Sequence, residues 1–171
     1  DLIQPEGTNK RWTDLSSKSR EYVGECWSKK RILEKGSYLP YGGNWPWPQI
    51  GFDHMSGRIL REEEHEYVQS CIEGNSSSKL DLVLMDDLLG RGLLVRPGFK
   101  FGCKWRVYDA NLEESHAPWL IQPVHLASTT WEGVCLSIRL AEGVHKEWVC
   151  AIYSDDSWNY LRIKRWLPKR N

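Results

Sequence analysis

The sequence predicts a mixed α/β fold in two parts, a small N-terminal α/β domain over residues 1–78 and a C-terminal domain over residues 79–171. The class follows from periodicity, because apolar residues recur at helical spacing in some segments and alternate at strand spacing in others. The boundary follows from a polar run, Glu73-Gly74-Asn75-Ser76-Ser77-Ser78, which favours a flexible connection. In the C-terminal part, the expected order of helix, strands, helix and strands gives a mixed sheet flanked by helices.

Composition limits the classes of function that are open to the chain. Its 171 residues suit one domain or two small ones, and 40% hydrophobic residues suffice for a core. The 23 Lys and Arg residues balance 23 Asp and Glu residues, which excludes a tail that coats polyanions. No apolar run approaches the ~18 residues that span a bilayer, so no membrane partner is expected, and the first residues predict no signal peptide. Five widely spaced cysteines without a CxxC pair indicate reduced thiols and no zinc site, so we expect a cytoplasmic protein, with a nuclear assembly left open.

The N-terminal part is predicted to hold two helices and an ordered loop. The spacing of charged and apolar residues predicts helices over residues 16–33 and 58–72. Between them, residues 38–48 contain three prolines and two glycines, which exclude regular structure. The aromatic residues of the same stretch indicate that the loop is ordered.

The C-terminal part has clearer periodicity. Residues 80–89 show the spacing of a helix, which Gly90 and Gly92 end. Residues 99–108 alternate as a strand does, with one face formed by Phe99, Phe101, Cys103, Trp105 and Val107. The remaining predicted elements are a helix over residues 131–145, a turn over residues 154–157 and strands over residues 93–95, 119–124, 148–153 and 160–166.

Several common catalytic motifs are absent from the sequence. It holds no GxxxxGKS, GxxxxGKT or GxGxxG phosphate loop, and no HExxH or GxSxG motif. Its acidic clusters, Glu62-Glu63-Glu64 and Asp155-Asp156, lack a Lys or a third acid at the spacing of a metal nuclease. Solvated surface is their simplest interpretation, so neither a metal nor another cofactor is expected.

A tyrosine, a histidine and a lysine remain at predicted strand and helix ends. Tyr108 closes the alternating strand, His116 precedes the next strand, and Lys146 ends the following helix. Because neighbouring strands lie ~4.8 Å apart, one sheet edge can gather all three side chains. Their chemistry suits a hydroxyl that attacks its neighbouring phosphate, with a base, an acid and a cation for the extra negative charge. Spacing alone does not separate this interpretation from ordinary structural roles, since many domains hold such residues near strand ends.

Longer motifs surround these three positions. Gly98-Phe99-Lys100-Phe101-Gly102 leads into Val107-Tyr108, and Arg139-Leu140-Ala141-Glu142-Gly143-Val144-His145-Lys146 closes the predicted helix. A pattern of Gly-x-Lys-Phe-Gly, Val-Tyr, a His beside a strand and Arg-Leu-Ala-x-x-Val-x-Lys agrees with them in order and approximate spacing over residues 80–166. With these motifs the chain resembles the catalytic domain of the tRNA-splicing endonucleases, also called tRNA-intron lyases.

The resemblance implies a role for each of the three side chains. Tyr108 takes the position of the family's general base, His116 that of the general acid, and Lys146 that of the cation at the transition state. The surrounding sequence departs from the family in one place, because Ala117-Pro118-Trp119 follows His116 where the family usually has Ser and then an aromatic residue. The chain holds competing histidines, of which His125 is expected to be structural and His145 to lie on another helix face.

The resemblance also implies residues that contact RNA and other subunits. In the family, arginines from a partner subunit clamp an extruded RNA base by cation–π stacking. Arg139 matches one of them, and Arg165, or else Arg162, stands for the second. An acidic loop of the family plugs a basic cleft of an opposing subunit, and Asp155 and Asp156 lie in that loop, where an ordinary β-turn is the alternative.

The function implied by the resemblance is metal-independent excision of introns from precursor tRNA at bulge–helix–bulge sites. Such an enzyme needs no cofactor and leaves 2′,3′-cyclic phosphate and 5′-hydroxyl ends. Two bulges require two active sites at a fixed separation, so we expect a homo-oligomer or a heterotetramer with a structural subunit. A non-catalytic structural or RNA-binding subunit of the same assembly is the alternative, and a metal-dependent nuclease is a third possibility. The loop Trp45-Pro46-Trp47-Pro48 is interpreted either as aromatic packing or as an insert that contacts RNA or a subunit.

Overall fold

The computed structural model describes residues 11–40, 45–47, 50–74, 79–109 and 116–169. Its helices and sheets confirm the mixed α/β class that the sequence predicts. Backbone contacts group residues 4–93 into one compact unit and residues 94–171 into another. The predicted boundary between residues 78 and 79 rests on the polar composition of the segment and not on backbone contacts, so it stays a prediction.

Within its described residues, the first unit combines three α-helices with a four-stranded antiparallel sheet. Its helices are α1 (Ser17–Ser28), α2 (Glu62–Glu73) and α3 (Leu80–Gly90). Its strands are β1 (Arg31–Leu33), β2 (Gly36–Pro40), β3 (Phe52–His54) and β4 (Gly57–Leu60), in the order β1-β2-β4-β3. Helices α1 and α2 occupy most of the two segments predicted as helices, but the sheet corrects their bounds, since residues 31–33 and 58–60 lie in strands β1 and β4. These strands are three or four residues long, too short for their alternation to stand out from helical spacing.

The aromatic residues of the Pro-rich loop lie in the core of the first unit. Trp47 is completely buried and Trp45 nearly so, and the two indoles meet edge to face with centroids 5.4 Å apart. Trp47 also contacts the ring of Tyr67 from α2. These contacts support the packing interpretation of the two indoles, and residues 41–44 and 48–49 of the loop lie outside the described residues.

The part of the second unit that the structure describes is a five-stranded mixed sheet with one long helix. Its strands are β5 (Leu94–Pro97), β6 (Trp105–Tyr108), β7 (Trp119–Pro123), β8 (Glu147–Ser154) and β9 (Ser157–Ile163), in the order β5-β6-β7-β8-β9. Strands β7 and β8 are parallel, and α4 (Trp131–Gly143) forms the crossover between them. The helix buries Ile138 and Ala141 against Leu120 and Trp148 of those two strands. This packing fixes the ends of β7 and β8 relative to one another.

The strand predicted over residues 99–108 is shorter in the structure. Residues Phe99–Phe101 form a 3-10 turn, and Gly102 follows in the left-handed region with a φ of 67°. The extended segment begins only at Trp105 because this turn interrupts the alternation, and Phe99 is left 92% exposed. The final strand is also displaced, since β9 ends at Ile163 and does not continue to Trp166. Among the described residues, no helix has the length and apolar character needed to cross a bilayer.

Candidate active site

Three strand ends of the second unit lie side by side. Val107 of β6 is opposite Trp119 of β7, and Trp119 is opposite Glu147 of β8. The next row, at the edge of the sheet, therefore contains Tyr108, Pro118 and Lys146. The backbone N–H of Glu147 donates to the Pro118 carbonyl at 2.8 Å and extends the row beyond the sheet proper.

Two of the predicted catalytic residues, Tyr108 and Lys146, contact Ala117, which follows the third, His116. The Lys146 amine donates a 2.6 Å hydrogen bond to the carbonyl oxygen of Ala117. The Tyr108 ring is buried with Ala117 and Leu94 in a small apolar cluster. His116 is exposed and directly precedes Ala117 in the chain. The fold thus brings Tyr108 and Lys146, which are distant in sequence, to Ala117, the residue next to His116.

Arg106, for which the sequence pattern predicts no role, lies beside these residues. It is two residues before Tyr108 on β6, so both side chains leave the same face of the sheet. The Arg106 guanidinium carbon is 5.5 Å from the Phe101 ring centroid, and the Lys146 amine nitrogen is 5.6 Å from it. The spacing of Arg106 from Tyr108 would have indicated the shared face, but the turn that brings Phe101 beneath both cations gives no periodic signal.

The electrostatics of Lys146 reflect this crowding. Burial lowers the pKa of its amine below the ordinary value, and the positive charge of Arg106 lowers it further. Among the described residues, no carboxylate forms an ion pair with either cation. The site therefore presents two cations that the described part of the chain does not neutralise.

The arginines expected to clamp an RNA base lie around the C-terminal end of α4. Arg139 is exposed on that helix. Arg165 follows β9, and Glu142 of α4 binds it twice, accepting from its backbone N–H at 3.1 Å and pairing with its guanidinium at 3.3 Å. Arg162 instead pairs with Glu147 at 3.1 Å. Neither Arg139 nor Arg165 hydrogen-bonds to Tyr108, His116 or Lys146, all five of which lie in described segments.

The acidic pair forms the two-residue turn between β8 and β9. Ser154 and Ser157 are paired across the hairpin, and Asp155 and Asp156 between them have φ values of 49° and 57°. Two consecutive residues with positive φ characterise the type I′ turn, for which Asn and Gly are the favoured residues. Both carboxylates are exposed, so the turn projects two negative charges away from the sheet.

The remaining candidates lie elsewhere or serve the fold. His125 is exposed in a short 3-10 turn after β7, at the end of that strand opposite to Ala117. His145 is exposed and has a φ of 57°. In the first acidic cluster, Glu64 is buried and accepts from the backbone N–H of Arg61 at the start of α2. Across the described segments, no three His, Cys, Asp or Glu side chains are grouped as metal ligands would be.

Comparison with known proteins gives one family for the second half of the chain. Residues 79–160 match the family described as tRNA intron endonuclease, catalytic C-terminal domain. The tRNA-splicing endonuclease of Picrophilus torridus is 28% identical over 134 residues, which are 78% of this chain and 43% of that protein. The enzyme of the same name from Methanopyrus kandleri is 30% identical over 89 residues, 52% of this chain and 50% of that protein. A third, from Thermococcus kodakarensis, is 38% identical over 72 residues, 42% of each chain.

These alignments span half or less of each relative. The chain aligns with 43%, 50% and 42% of the three curated proteins. The similarity is therefore to a part of those proteins. The residues that match the family description, 79–160, include Tyr108, His116 and Lys146.

Proposed function

We propose that this chain is a member of the tRNA-splicing endonuclease family, whose catalytic domain its residues 79–160 match, and that it is an endonuclease that excises introns from precursor tRNA. The observation that carries the proposal is the convergence at positions 116 and 117. There the Lys146 amine and the Tyr108 ring both contact the residue next to His116. A base, an acid and a cation close together are what strand cleavage by an internal hydroxyl requires.

The proposed reaction uses the 2′-hydroxyl of the RNA as the nucleophile. Tyr108, acting as the phenolate, takes the proton of that 2′-hydroxyl and becomes a phenol, while the 2′-oxygen forms a bond to the adjacent phosphorus. The bond from phosphorus to the 5′-oxygen breaks, and His116 gives that oxygen its proton. Lys146 stabilises the added negative charge on the phosphorus-bound oxygens. The products are a 2′,3′-cyclic phosphate and a 5′-hydroxyl, and no metal ion enters the proposed scheme.

The proposed substrate is a bulge–helix–bulge RNA. Unpaired bulge nucleotides can adopt the in-line geometry that stacked A-form RNA does not allow. Arg139 and Arg165 are proposed to hold an extruded base of the RNA bound at a partner subunit, since planar guanidinium groups stack well on bases. The ion pair with Glu142 supports this assignment for Arg165, because it fixes that side chain next to the helix that carries Arg139.

Cleavage of a model bulge–helix–bulge RNA by the purified chain in EDTA tests the proposed function. We expect cuts in both bulges, with cyclic phosphate and 5′-hydroxyl ends identified by mass spectrometry. An RNA of the same sequence with 2′-deoxy nucleotides at the two cleavage sites is the matched control, and it should remain intact. Cleavage that stops in EDTA and returns with Mg²⁺ would contradict the metal-independent scheme and support a metal-dependent nuclease.

Replacement of the acidic turn tests the proposed subunit contact of Asp155 and Asp156. The double change Asp155→Asn and Asp156→Gly places favoured residues at two positive φ positions, so stability should rise by about 1 kcal/mol. Assembly should weaken at the same time because two negative charges are lost from the proposed contact. Thermal melting measures the first effect, and sedimentation velocity at low and high salt measures the second.

A matched control removes two negative charges from another surface. The double change Glu62→Gln and Glu63→Gln at the start of α2 should leave assembly unchanged. If the turn variant assembles like the wild type at every salt concentration, the acidic pair is an ordinary β-turn.

A further inference from the structure

Arg106 is a second cation at the proposed active site. It lies opposite Leu120 of β7, and Leu120 lies opposite Trp148 of β8, in the row of the sheet that packs against α4. Register partners share a face, so Arg106 projects on the same side as this core, and Tyr108 follows on that side at the end of the strand. The edge of the face that holds the proposed base therefore also holds a guanidinium.

Two contacts fix the position of that guanidinium. Its Nε donates to the Pro97 carbonyl at 3.0 Å, and its plane lies near the Phe101 ring that Lys146 also approaches. Within the described residues, the terminal nitrogens of Arg106 donate to no protein acceptor. A guanidinium held at Nε with its two terminal groups free is arranged for an additional acceptor.

The two neighbouring cations are a cost to the folded state when no anion is bound. Like charges in a partly buried site repel one another, and the pKa of Lys146 is depressed first by burial and then by this repulsion from Arg106. Since the described residues supply no carboxylate to either cation, an anionic ligand would relieve the repulsion. A phosphate that gains negative charge during the reaction would relieve it most at the transition state.

We propose that Arg106 is a further catalytic residue, which binds a nonbridging oxygen of the scissile phosphate alongside Lys146. The inference rests on the proposed function and adds to it a second, permanently charged group. Arg106 transfers no proton, because a guanidinium stays protonated in proteins. Its planar pair of terminal donors suits a phosphate oxygen better than a lysine does.

The test begins with single-turnover cleavage of the bulge–helix–bulge RNA by Arg106→Gln and Arg106→Lys. Loss of one preorganised donor should slow Arg106→Gln by about 10²-fold, and Arg106→Lys, which keeps the charge, should fall between it and the wild type. Arg20→Gln, which removes an exposed guanidinium from α1, is the matched control and should cleave at the wild-type rate. Thermal melting checks that the variants fold. If Arg106→Gln does not fold, the cleavage rate of Arg106→Lys is compared with that of the wild type instead.

A sulfur substitution separates a phosphate contact from a merely structural role. One nonbridging oxygen of the scissile phosphate is replaced by sulfur, and each stereoisomer is tested with wild type and the Arg106 variant. We expect one stereoisomer to slow the wild type more than it slows the variant, because the variant has already lost that contact. Equal slowing of both proteins by each stereoisomer, or a wild-type cleavage rate for Arg106→Gln, would overturn the inference. A wild type that stays inactive both alone and with a structural subunit added would instead overturn the proposed function itself.

Discussion

Replacement of Tyr108 by Phe is expected to reduce RNA cleavage by about 10²–10⁴-fold, the range that a general base contributes. The change removes one oxygen and keeps the ring, which packs against Leu94 and Ala117. Stability and RNA binding should therefore remain near those of the wild type. Single-turnover cleavage measures the loss, and fluorescence anisotropy with a 2′-deoxy RNA measures binding without cleavage.

Tyr153 provides the matched control for this change. It lies on β8 of the same unit, is 39% exposed and packs against Trp158, away from the row of strand ends that contains Tyr108. Tyr153→Phe likewise removes one tyrosine hydroxyl from this sheet, and this variant should cleave RNA at the wild-type rate. If Tyr108→Phe also cleaves at the wild-type rate, Tyr108 is not the base, and its role at the end of β6 is packing alone.

Much of the second unit could be predicted because its elements are long or strongly apolar. The helix predicted over residues 131–145 ends at Gly143 in the structure, and the strand predicted over residues 148–153 is extended by a residue at each end. Both bury a continuous apolar face, which is the property that periodicity detects. The order of these elements and the motif spacing nominate Tyr108 and Lys146, which contact Ala117, and His116, which precedes Ala117 in the chain. Their catalytic roles stay a prediction.

The parts that sequence reasoning missed depend on short elements and on turns. Strands β1 and β4 fall inside segments whose charge pattern suits a helix, and their extended form depends on pairing with β2. The turn at Phe99–Phe101 depends on Gly102, whose left-handed conformation alternation cannot reveal. The position of Arg106 at the site gives no sequence signal for the same reason, because Lys146 comes close to it only through that turn and the crossover helix.

Replacement of Lys146 by Met is expected to reduce cleavage by about 10²–10³-fold, as loss of a preorganised charge at a transition state does. Met keeps most of the aliphatic side chain near Phe101 but removes the donor to the Ala117 carbonyl. Binding of a 2′-deoxy RNA should fall much less than cleavage, because the proposed role is stronger in the transition state than in the bound substrate. Lys100→Met, at an exposed position of the neighbouring 3-10 turn, removes a lysine nearby and is the control for loss of local charge.

The pH dependence of stability provides an independent test of the environment of Lys146. Its pKa is lowered in the folded protein, so the unfolded chain binds more protons between that lowered value and the ordinary 10.5. Stability should therefore rise with pH across this interval, through the contribution of this one group, and Lys146→Met should lack that rise. Urea unfolding of both proteins through the alkaline range measures the difference. If the two stability curves run parallel, the amine is not held in a partly buried, positively charged setting, and the arrangement of Lys146 beside Arg106 is wrong.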